Sequence, residues 1–169
     1  HAATPREAAS AITARIMALS GAHDVLTRER WDGADLRALV ESAVHPFRTP
    51  GADAFRLDGP AMRAGPYAAI SIALALHELG TNAVKYGALS APGGTVQVRW
   101  TVAEGDFRLE WIETGGPPVI PSDRRGFGSR LILQVLPDQL QGRADMDHRP
   151  TGIAFTLTTS VEAVSDQPA

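Results

Sequence analysis

The chain has 169 residues, of which 44% are hydrophobic and 21% charged, a mixture typical of a globular domain with a sizeable core. It contains no cysteine, which excludes disulfides, thiolate metal sites and thiol nucleophiles. The net charge is −3 and no Lys/Arg run is dense, which argues against nucleic acid as a partner. No apolar run approaches the ~20 residues that span a bilayer. The chain begins with His1 and lacks a signal-peptide pattern, so we expect a fragment.

The first predicted helix begins at TPRE, with Thr4 as the N-cap and Pro5 at the first helical position. Its apolar residues recur at gaps of three and four, which is typical of the seam of a helix pair: Ala9, Ile12, Ile16, Leu19, His23 and Leu26. We therefore interpret residues 1–31 as half of a helical hairpin, and expect the other half upstream.

Two further helices and one strand are predicted before residue 90. The second helix follows Asp32 or Asp35 and ends at Pro46. AFRLD is a short strand after the loop FRTPGAD. The third helix runs from about Pro66 to Tyr86, and Gly87 is predicted to end it in a left-handed conformation.

The remaining elements are mostly strands. TVQVRWTV and FRLEWIE alternate apolar and polar residues and are joined by the turn AEGD. GGPPVIPSDRRGFGS is long for a compact domain, which indicates a functional or disordered loop. A helix then starts at Ser129, two strands flank HRPTG, and SVEAVSDQPA is predicted to be a frayed tail. This order predicts an α+β fold over residues 32–162, a two-layer sandwich with a mixed sheet and helices on one face, followed by a tail at 163–169.

The stretch HELGTNAVKYG places Glu78, Asn82 and Lys85 within one narrow sector of the third helix, with His77 toward the flank. A carboxylate, a carboxamide and an ammonium there could supply a base, a Mg²⁺ ligand and a phosphate counter-charge. The alternative is a solvated helix face with a Glu78–Lys85 pair.

Glu113 shares the strand parity of Phe107, Leu109 and Trp111, so it ends a row of core-facing residues as a carboxylate. Burying a charge there is costly without a partner, and Gly115 and Gly116 leave room for a ligand with a donor group, such as a purine. The alternative is that the strand ends before Glu113, which then faces solvent.

The stretch RGFGSRLI places two glycines before a Ser-capped helix, where exposed amides can bind an anion. Arg124, Arg125 and Arg130 could add positive charge. An ordinary loop-to-helix junction explains the pattern equally well, and neither a P-loop nor a complete G-x-G-x-x-G is present.

Taken together, these stretches resemble the ATP-binding catalytic domain of sensor histidine kinases, which has the Bergerat (GHKL-type) ATPase fold. The chain is most similar to the HWE subfamily, named for a His in the N box and a Trp-x-Glu in the G1 box. These correspond here to His77 and to Trp111 with Glu113, and GFGS matches the G2 box. The resemblance covers residues 10–160.

For the N box, the resemblance implies catalytic roles. Asn82 would coordinate a Mg²⁺ that bridges the ATP phosphates, and Glu78 would polarise or deprotonate the attacking imidazole. Lys85 and Tyr86 would contact the nucleotide, and His77 would be a polar neighbour of the catalytic residues.

For the other boxes, the resemblance implies nucleotide contacts. Glu113 would accept a hydrogen bond from the adenine amino group, Gly115 would admit the ring, and Thr156 would support it through water. Residues 115–128 would form an ATP lid, and the phosphates would be lined by Gly126, Phe127, Gly128 and Ser129.

The resemblance also implies partners: a response regulator receiver domain, and a second copy of the full-length protein. A cytoplasmic location is expected. Two features depart from the family. Gly80 stands where the N box usually has Ala, which we expect to loosen the helix. The phosphoacceptor helix is absent, and we interpret His23, on the apolar seam, as a packing residue. Alternative functions are a degenerate nucleotide-binding scaffold, or an ATPase or serine kinase of the same superfold.

Overall fold

The computed structural model describes residues 4–28, 33–49, 51–118 and 127–165. Three helices come first along the chain: α1 (Pro5–Arg28), α2 (Leu36–Val44), which follows the two-residue strand β1 (Ala34–Asp35), and α3 (Pro66–Lys85). Between α2 and α3 lie a short 3₁₀ turn (His45–Phe47) and the strands β2 (Phe55–Asp58) and β3 (Arg63–Ala64). A second 3₁₀ turn covers Ala88–Ser90.

The second half of the chain supplies most of the sheet. Strands β4 (Thr95–Ala103) and β5 (Asp106–Thr114) precede a helical run made of α4 (Phe127–Arg130), a π-helical turn (Leu131–Val135) and α5 (Leu136–Gln139). Strands β6 (Arg143–Arg149) and β7 (Gly152–Ser160) and the short helix α6 (Val161–Ser165) complete the described chain. None of the helices in the described part combines the length and apolar character that crossing a bilayer requires.

The main sheet has five strands in the order β2-β4-β5-β7-β6, with β2 parallel to β4 and the other neighbours antiparallel. Alternate residues of its central strands are buried on one face, among them Trp100, Trp111 and Phe155. Helices α1, α2 and α3 pack on one another, and their buried residues join those of this face in one core. The predicted mixed sheet with a helical layer on one face is therefore confirmed.

Helix α2 forms as its sequence predicts. Asp35 is the N-cap, and its carboxylate accepts a hydrogen bond from the Ala38 amide at 2.9 Å. The predicted apolar face is buried throughout: Leu36, Leu39, Val40, Ala43 and Val44.

Helix α1 packs on the domain through its C-terminal half, where Ala22, Val25 and Leu26 are buried. Of the predicted seam, Leu26 is buried, but Ile12 and Ile16 are 57% and 56% exposed. The predicted hairpin of residues 1–31 stays a prediction. The seam pattern did not predict that the C-terminal end of α1 is part of the core of this domain.

The predictions for Gly87 and for the tail were wrong. Gly87 has φ −108°, so it is not left-handed; a side chain there would lie 2.0 Å from a Glu113 carboxylate oxygen, and this close approach is why glycine is required. The tail prediction fails at α6, because Val164 is fully buried and its carbonyl accepts a hydrogen bond from the Gly65 amide at 2.8 Å. Gly80 lies inside the continuous helix α3, where a Cβ would lie 2.4 Å from the Phe47 ring, and the predicted loosening of the helix stays a prediction.

Candidate functional site

Glu78 lies on α3 with 8% of its surface exposed, held between two other elements. Its Oε1 accepts a hydrogen bond from Arg15 Nε of α1 at 2.7 Å. A Cβ at Gly128, in α4, would lie 2.3 Å from its Oε2. The absence of a side chain at Gly128 thus allows the N-terminal end of α4 to approach the carboxylate, and the N box and the G2 box meet here.

Asn82 lies one turn beyond Glu78 and is half-buried. Its backbone carbonyl accepts hydrogen bonds from the amides of Tyr86 and Gly87, at 2.8 and 3.1 Å, which closes the end of α3. Lys85 and Tyr86 are exposed, and 73% of the Tyr86 surface is accessible. The polar sector therefore runs from a buried carboxylate to an exposed ammonium. The ion-pair partner of Glu78 is Arg15 rather than Lys85.

Glu113 ends the core-facing row of β5 with 3% of its surface exposed, so the alternative in which it faces solvent is wrong. Its Oε2 accepts a hydrogen bond from the Ala88 amide at 2.9 Å, and its Oε1 accepts one from Trp111 Nε1 at 3.1 Å. Burial raises the pKa of Glu113, whereas both hydrogen bonds favour the ionised form and lower the pKa. The carboxylate thus connects β5 to the turn that follows α3.

The glycines after Glu113 fit the chain closely against that turn. Gly115 has φ +79°, a left-handed conformation that favours glycine. The next residue, Gly116, has no space for a side chain. A Cβ at Gly116 would lie 2.7 Å from the Ala88 Cα. Backbone packing therefore occupies the space beside Gly116 that the sequence suggested for a ligand.

His77 packs within the helical layer. It is 6% exposed, its ring centroid lies 5.1 Å from that of Phe47, and its Nε2 has no hydrogen-bond partner among the described residues. It lines a cavity of about 240 Å³ between α1, α2 and α3, together with residues that include Met17 and Ala73. Burial lowers the pKa of His77. The structure thus places His77 in interhelical packing.

The structure does not bring Thr156 to the same place. Thr156 pairs with Glu110 across the β5–β7 ladder, while Phe155 pairs with Trp111. Since directly paired residues point to the same face, Thr156 lies on the face of the sheet opposite to Glu113. Helix α4 begins at Phe127, so Ser129 lies half-buried within it, and the predicted start and cap at Ser129 are wrong. Gly126 lies outside the described residues.

Helix α3 connects the two carboxylates. Glu78 is a residue of the helix itself, and Glu113 contacts the Gly87–Ala88 turn beyond its end. At a rise of ~1.5 Å per residue, nine residues separate Glu78 and Gly87 by roughly 13 Å along the axis. A ligand that reaches both must be elongated.

A divalent cation would find few protein ligands here. In the part of the chain that the structure describes, no group of three or more His, Asp or Glu side chains could hold a metal ion. The half-buried Asn82 amide offers one oxygen. This donor set fits Mg²⁺ that retains phosphate oxygens and waters, which is how Mg²⁺ is usually bound.

Two contacts of the site were missed by the sequence reasoning. Arg15 lies 63 positions from Glu78, and no local pattern predicts such a pairing. The Trp111–Glu113 hydrogen bond had a signal, since both residues share one face of a strand at spacing i, i+2.

Proteins with similar sequences are histidine kinases. A sequence profile of the HWE histidine kinase family matches residues 1–61. A "blue-light-activated histidine kinase" of Brucella anthropi is 39% identical over 167 residues, which cover 96% of this chain and 34% of that protein. Its counterpart in Brucella ovis is 36% identical over 161 residues, covering 93% of this chain and 33% of that protein. The chain thus spans about one third of the length of these relatives.

Solved structures with a similar fold are also histidine kinases. The histidine kinase domain of the EL346 blue-light-activated histidine kinase from Erythrobacter litoralis superposes with a TM-score of 0.69 and 19% identity, covering 92% of this chain and 79% of that one. The catalytic domain of histidine kinase ThkA superposes with a TM-score of 0.57 and 15% identity, covering 75% of this chain and 93% of that one. These similarities establish the fold.

Proposed function

Because the chain belongs to the HWE histidine kinase family, we propose that it is the ATP-binding catalytic part of a protein-histidine kinase. The reaction would transfer the γ-phosphoryl group of Mg-ATP to a histidine outside this chain. One observation carries the proposal: α3 itself bears one buried carboxylate, Glu78, with Gly128 beside it, and the turn beyond the end of α3 contacts a second, Glu113.

The arrangement supports a nucleotide that lies along α3. Its purine would lie near Glu113 and Gly115, and its phosphates near Asn82, Gly128 and Ser129, with Gly126 and Phe127 at the lid. Lys85 and Tyr86 are exposed at the end of α3 and can contact the nucleotide from solvent. Asn82 would hold Mg²⁺, which neutralises the phosphate charge.

Glu78 is the residue best placed to accept a proton. When an imidazole nitrogen attacks the γ-phosphorus, the bond to the ADP oxygen breaks and the imidazole proton passes to the Glu78 carboxylate. Since Arg15 is bonded to this carboxylate, the guanidinium must move or share Glu78 during the transfer. His77 would support the position of the neighbouring Glu78 through packing, because its ring contacts that of Phe47.

The partners follow from the family. The phosphoryl group would pass to the receiver domain of a response regulator, and the full-length protein would be a homodimer in the cytoplasm. A solved complex of histidine kinase ThkA with response regulator TrrA supports such a partner, and it has a TM-score of 0.55 to this chain. The exposed seam of α1 supports pairing with a second copy.

Calorimetric titration of the chain with ATP, in Mg²⁺ and in EDTA, tests the proposal. We expect Mg²⁺ to strengthen binding, and Asn82→Ala to remove that enhancement. Ser71→Ala is the matched control, because Ser71 is also a polar residue of α3, but its hydroxyl bonds Gln139. Equal affinity with and without Mg²⁺ in the unsubstituted chain would instead favour a degenerate nucleotide-binding scaffold.

A phosphorylation assay on the full-length protein separates the kinase from the remaining alternatives. Acid-labile label on protein indicates phosphohistidine, whereas acid-stable label indicates transfer to a hydroxyl group. Release of phosphate without labelled protein would indicate an ATPase.

A further inference from the structure

Trp111 and Glu113 form a hydrogen-bonded pair within one strand. Trp111 Nε1 donates to Glu113 Oε1 at 3.1 Å, and both side chains lie on the core face of β5. Trp111 is fully buried, and its ring meets that of Phe55 edge-on, with the centroids 6.1 Å apart. A buried indole N–H needs an acceptor, and this one has the carboxylate.

The second oxygen of Glu113 is fixed independently. The Ala88 amide donates to Oε2 at 2.9 Å, and the bare Cα of Gly87 packs close to the same oxygen. Two donors from different elements therefore hold the two oxygens, and the plane of the carboxylate is set. Each oxygen can accept one further hydrogen bond. With 3% of the residue exposed, this remaining capacity suits one small donor group.

We infer that Trp111 is a positioning residue for the recognition of a 6-amino purine, acting through Glu113. This inference rests on the proposed function, and it assigns to Trp111 a role that its burial alone would not require. Without the indole N–H, Glu113 would keep only the Ala88 bond and could rotate about its side-chain torsions.

The chemistry of the pair favours adenine over guanine. The exocyclic amino group of adenine can donate to the fixed carboxylate, whereas guanine has a carbonyl oxygen at the same ring position, which would face another acceptor. Discrimination of this kind depends on the carboxylate orientation, because a rotating carboxylate could move away from the carbonyl.

The pair also affects protonation. The Trp111 hydrogen bond lowers the pKa of Glu113 against the larger effect of burial, which raises it. Removing the indole N–H therefore raises the pKa further. The ionised carboxylate accepts hydrogen bonds at both oxygens, whereas protonation removes one acceptor. As the pH is lowered, the ATP affinity of such a variant should therefore begin to fall at a higher pH than that of the unsubstituted chain. The two groups that bond Glu113, the Ala88 amide and the Trp111 indole, do not themselves titrate.

Trp111→Phe tests the inference, with Trp100→Phe as the matched control. Trp100 is 1% exposed in the neighbouring strand β4, and its Nε1 donates to the Pro60 carbonyl at 2.8 Å, so the control also loses a ring and a hydrogen bond. We expect Trp111→Phe to weaken ATP binding roughly tenfold, to reduce the preference for ATP over GTP, and to shift the acid-side loss of affinity to higher pH. We expect Trp100→Phe to remain within about twofold of the unsubstituted chain. Because the nucleotide titrates equally in both experiments, comparison with Trp100→Phe also removes the contribution of nucleotide protonation to the pH profile.

A second measurement does not depend on how well Trp111→Phe folds. The chain has three tryptophans, so three indole N–H signals are expected by NMR. In the unsubstituted protein, the Trp111 signal should shift as Glu113 titrates, and Glu113→Gln should abolish that shift.

The possible failures are distinguishable. If the unsubstituted chain does not bind Mg-ATP, the proposed function fails. If it binds Mg-ATP and Glu113→Gln weakens binding, but Trp111→Phe retains the affinity, selectivity and pH profile of Trp100→Phe, the role of Trp111 is overturned. An indole signal that ignores the titration of Glu113 overturns it as well.

Discussion

Arg15 of α1 and Glu78 of α3 form an ion pair between side chains 63 positions apart, with 2.7 Å between Nε and Oε1. The side chains are 25% and 11% exposed, so the pair is only partly screened by water. Ile12 and Ile16, in the N-terminal half of α1, are exposed, whereas Arg15 links that half to α3.

Removing Arg15 should destabilise the domain and loosen α1. We expect Arg15→Ala to lower the free energy of unfolding by about 1–2 kcal/mol, between the values for exposed and for buried pairs. Urea unfolding of Arg15→Ala, Glu78→Gln and the double variant would give the coupling energy. Hydrogen exchange in α1 should also accelerate in Arg15→Ala. A coupling energy of zero would show that the contact contributes nothing.

Gly80 makes room for Phe47, so the effect of Gly80→Ala should change sign with residue 47. In the unsubstituted background the new Cβ meets the Phe47 ring, and we expect a loss of about 1–3 kcal/mol. In a Phe47→Ala background the ring is gone, and the helix propensity of alanine should stabilise α3 by about 1 kcal/mol. Chemical unfolding of the four proteins measures both effects. The same sign in both backgrounds would contradict this packing.

The buried His77 should make stability fall at acid pH. Burial lowers the pKa of His77 in the folded state, so the unfolded chain binds its proton first. The stabilisation is present above pH ~6.5 and is lost as pH falls through the folded pKa, with a slope of at most about 1.4 kcal/mol per pH unit. His77→Gln should reduce this slope, and His148→Gln, at an exposed position of β6, should retain it. Identical slopes in the two variants would be inconsistent with the burial of His77.

Gly128→Ala should separate α4 from α3. The added Cβ would lie 2.3 Å from Glu78 Oε2, while Arg15 holds the other oxygen. We expect Mg-ATP affinity to fall by roughly tenfold, because a strained contact of about 1–3 kcal/mol must be relieved by moving α4. In a Glu78→Ala background the obstacle is absent, so Gly128→Ala should have little effect there. An equal loss of Mg-ATP affinity in both backgrounds would show that the effect does not arise from the contact between residue 128 and Glu78.

Short-range pattern predicted much of this fold. The parity of Phe107, Leu109 and Trp111 placed Glu113 on the core face, and the Asp35 cap with the apolar face placed α2. The same parity rule could have excluded Thr156, because Phe155 and Leu157 are the core-facing residues of β7. The role predicted for Thr156 rests on the family resemblance and not on the strand pattern.

Contacts between distant segments could not be predicted. Gly87 reads as a helix terminator from the local sequence, but its role depends on Glu113, which approaches from another strand. Gly80 likewise depends on Phe47, and Val164 depends on the Gly65 amide. In each case the deciding neighbour is set by tertiary packing, for which a single sequence carries no periodic signal.

The proposed function requires one cleft that takes a nucleotide along α3. A crystal structure of the chain with Mg²⁺ and a non-hydrolysable ATP analogue would test it directly. We expect the adenine amino group within hydrogen-bonding distance of Glu113, Mg²⁺ coordinated by the Asn82 oxygen, and the phosphates beside Gly128. A nucleotide bound away from Glu113, or a Mg²⁺ without contact to Asn82, would contradict the account.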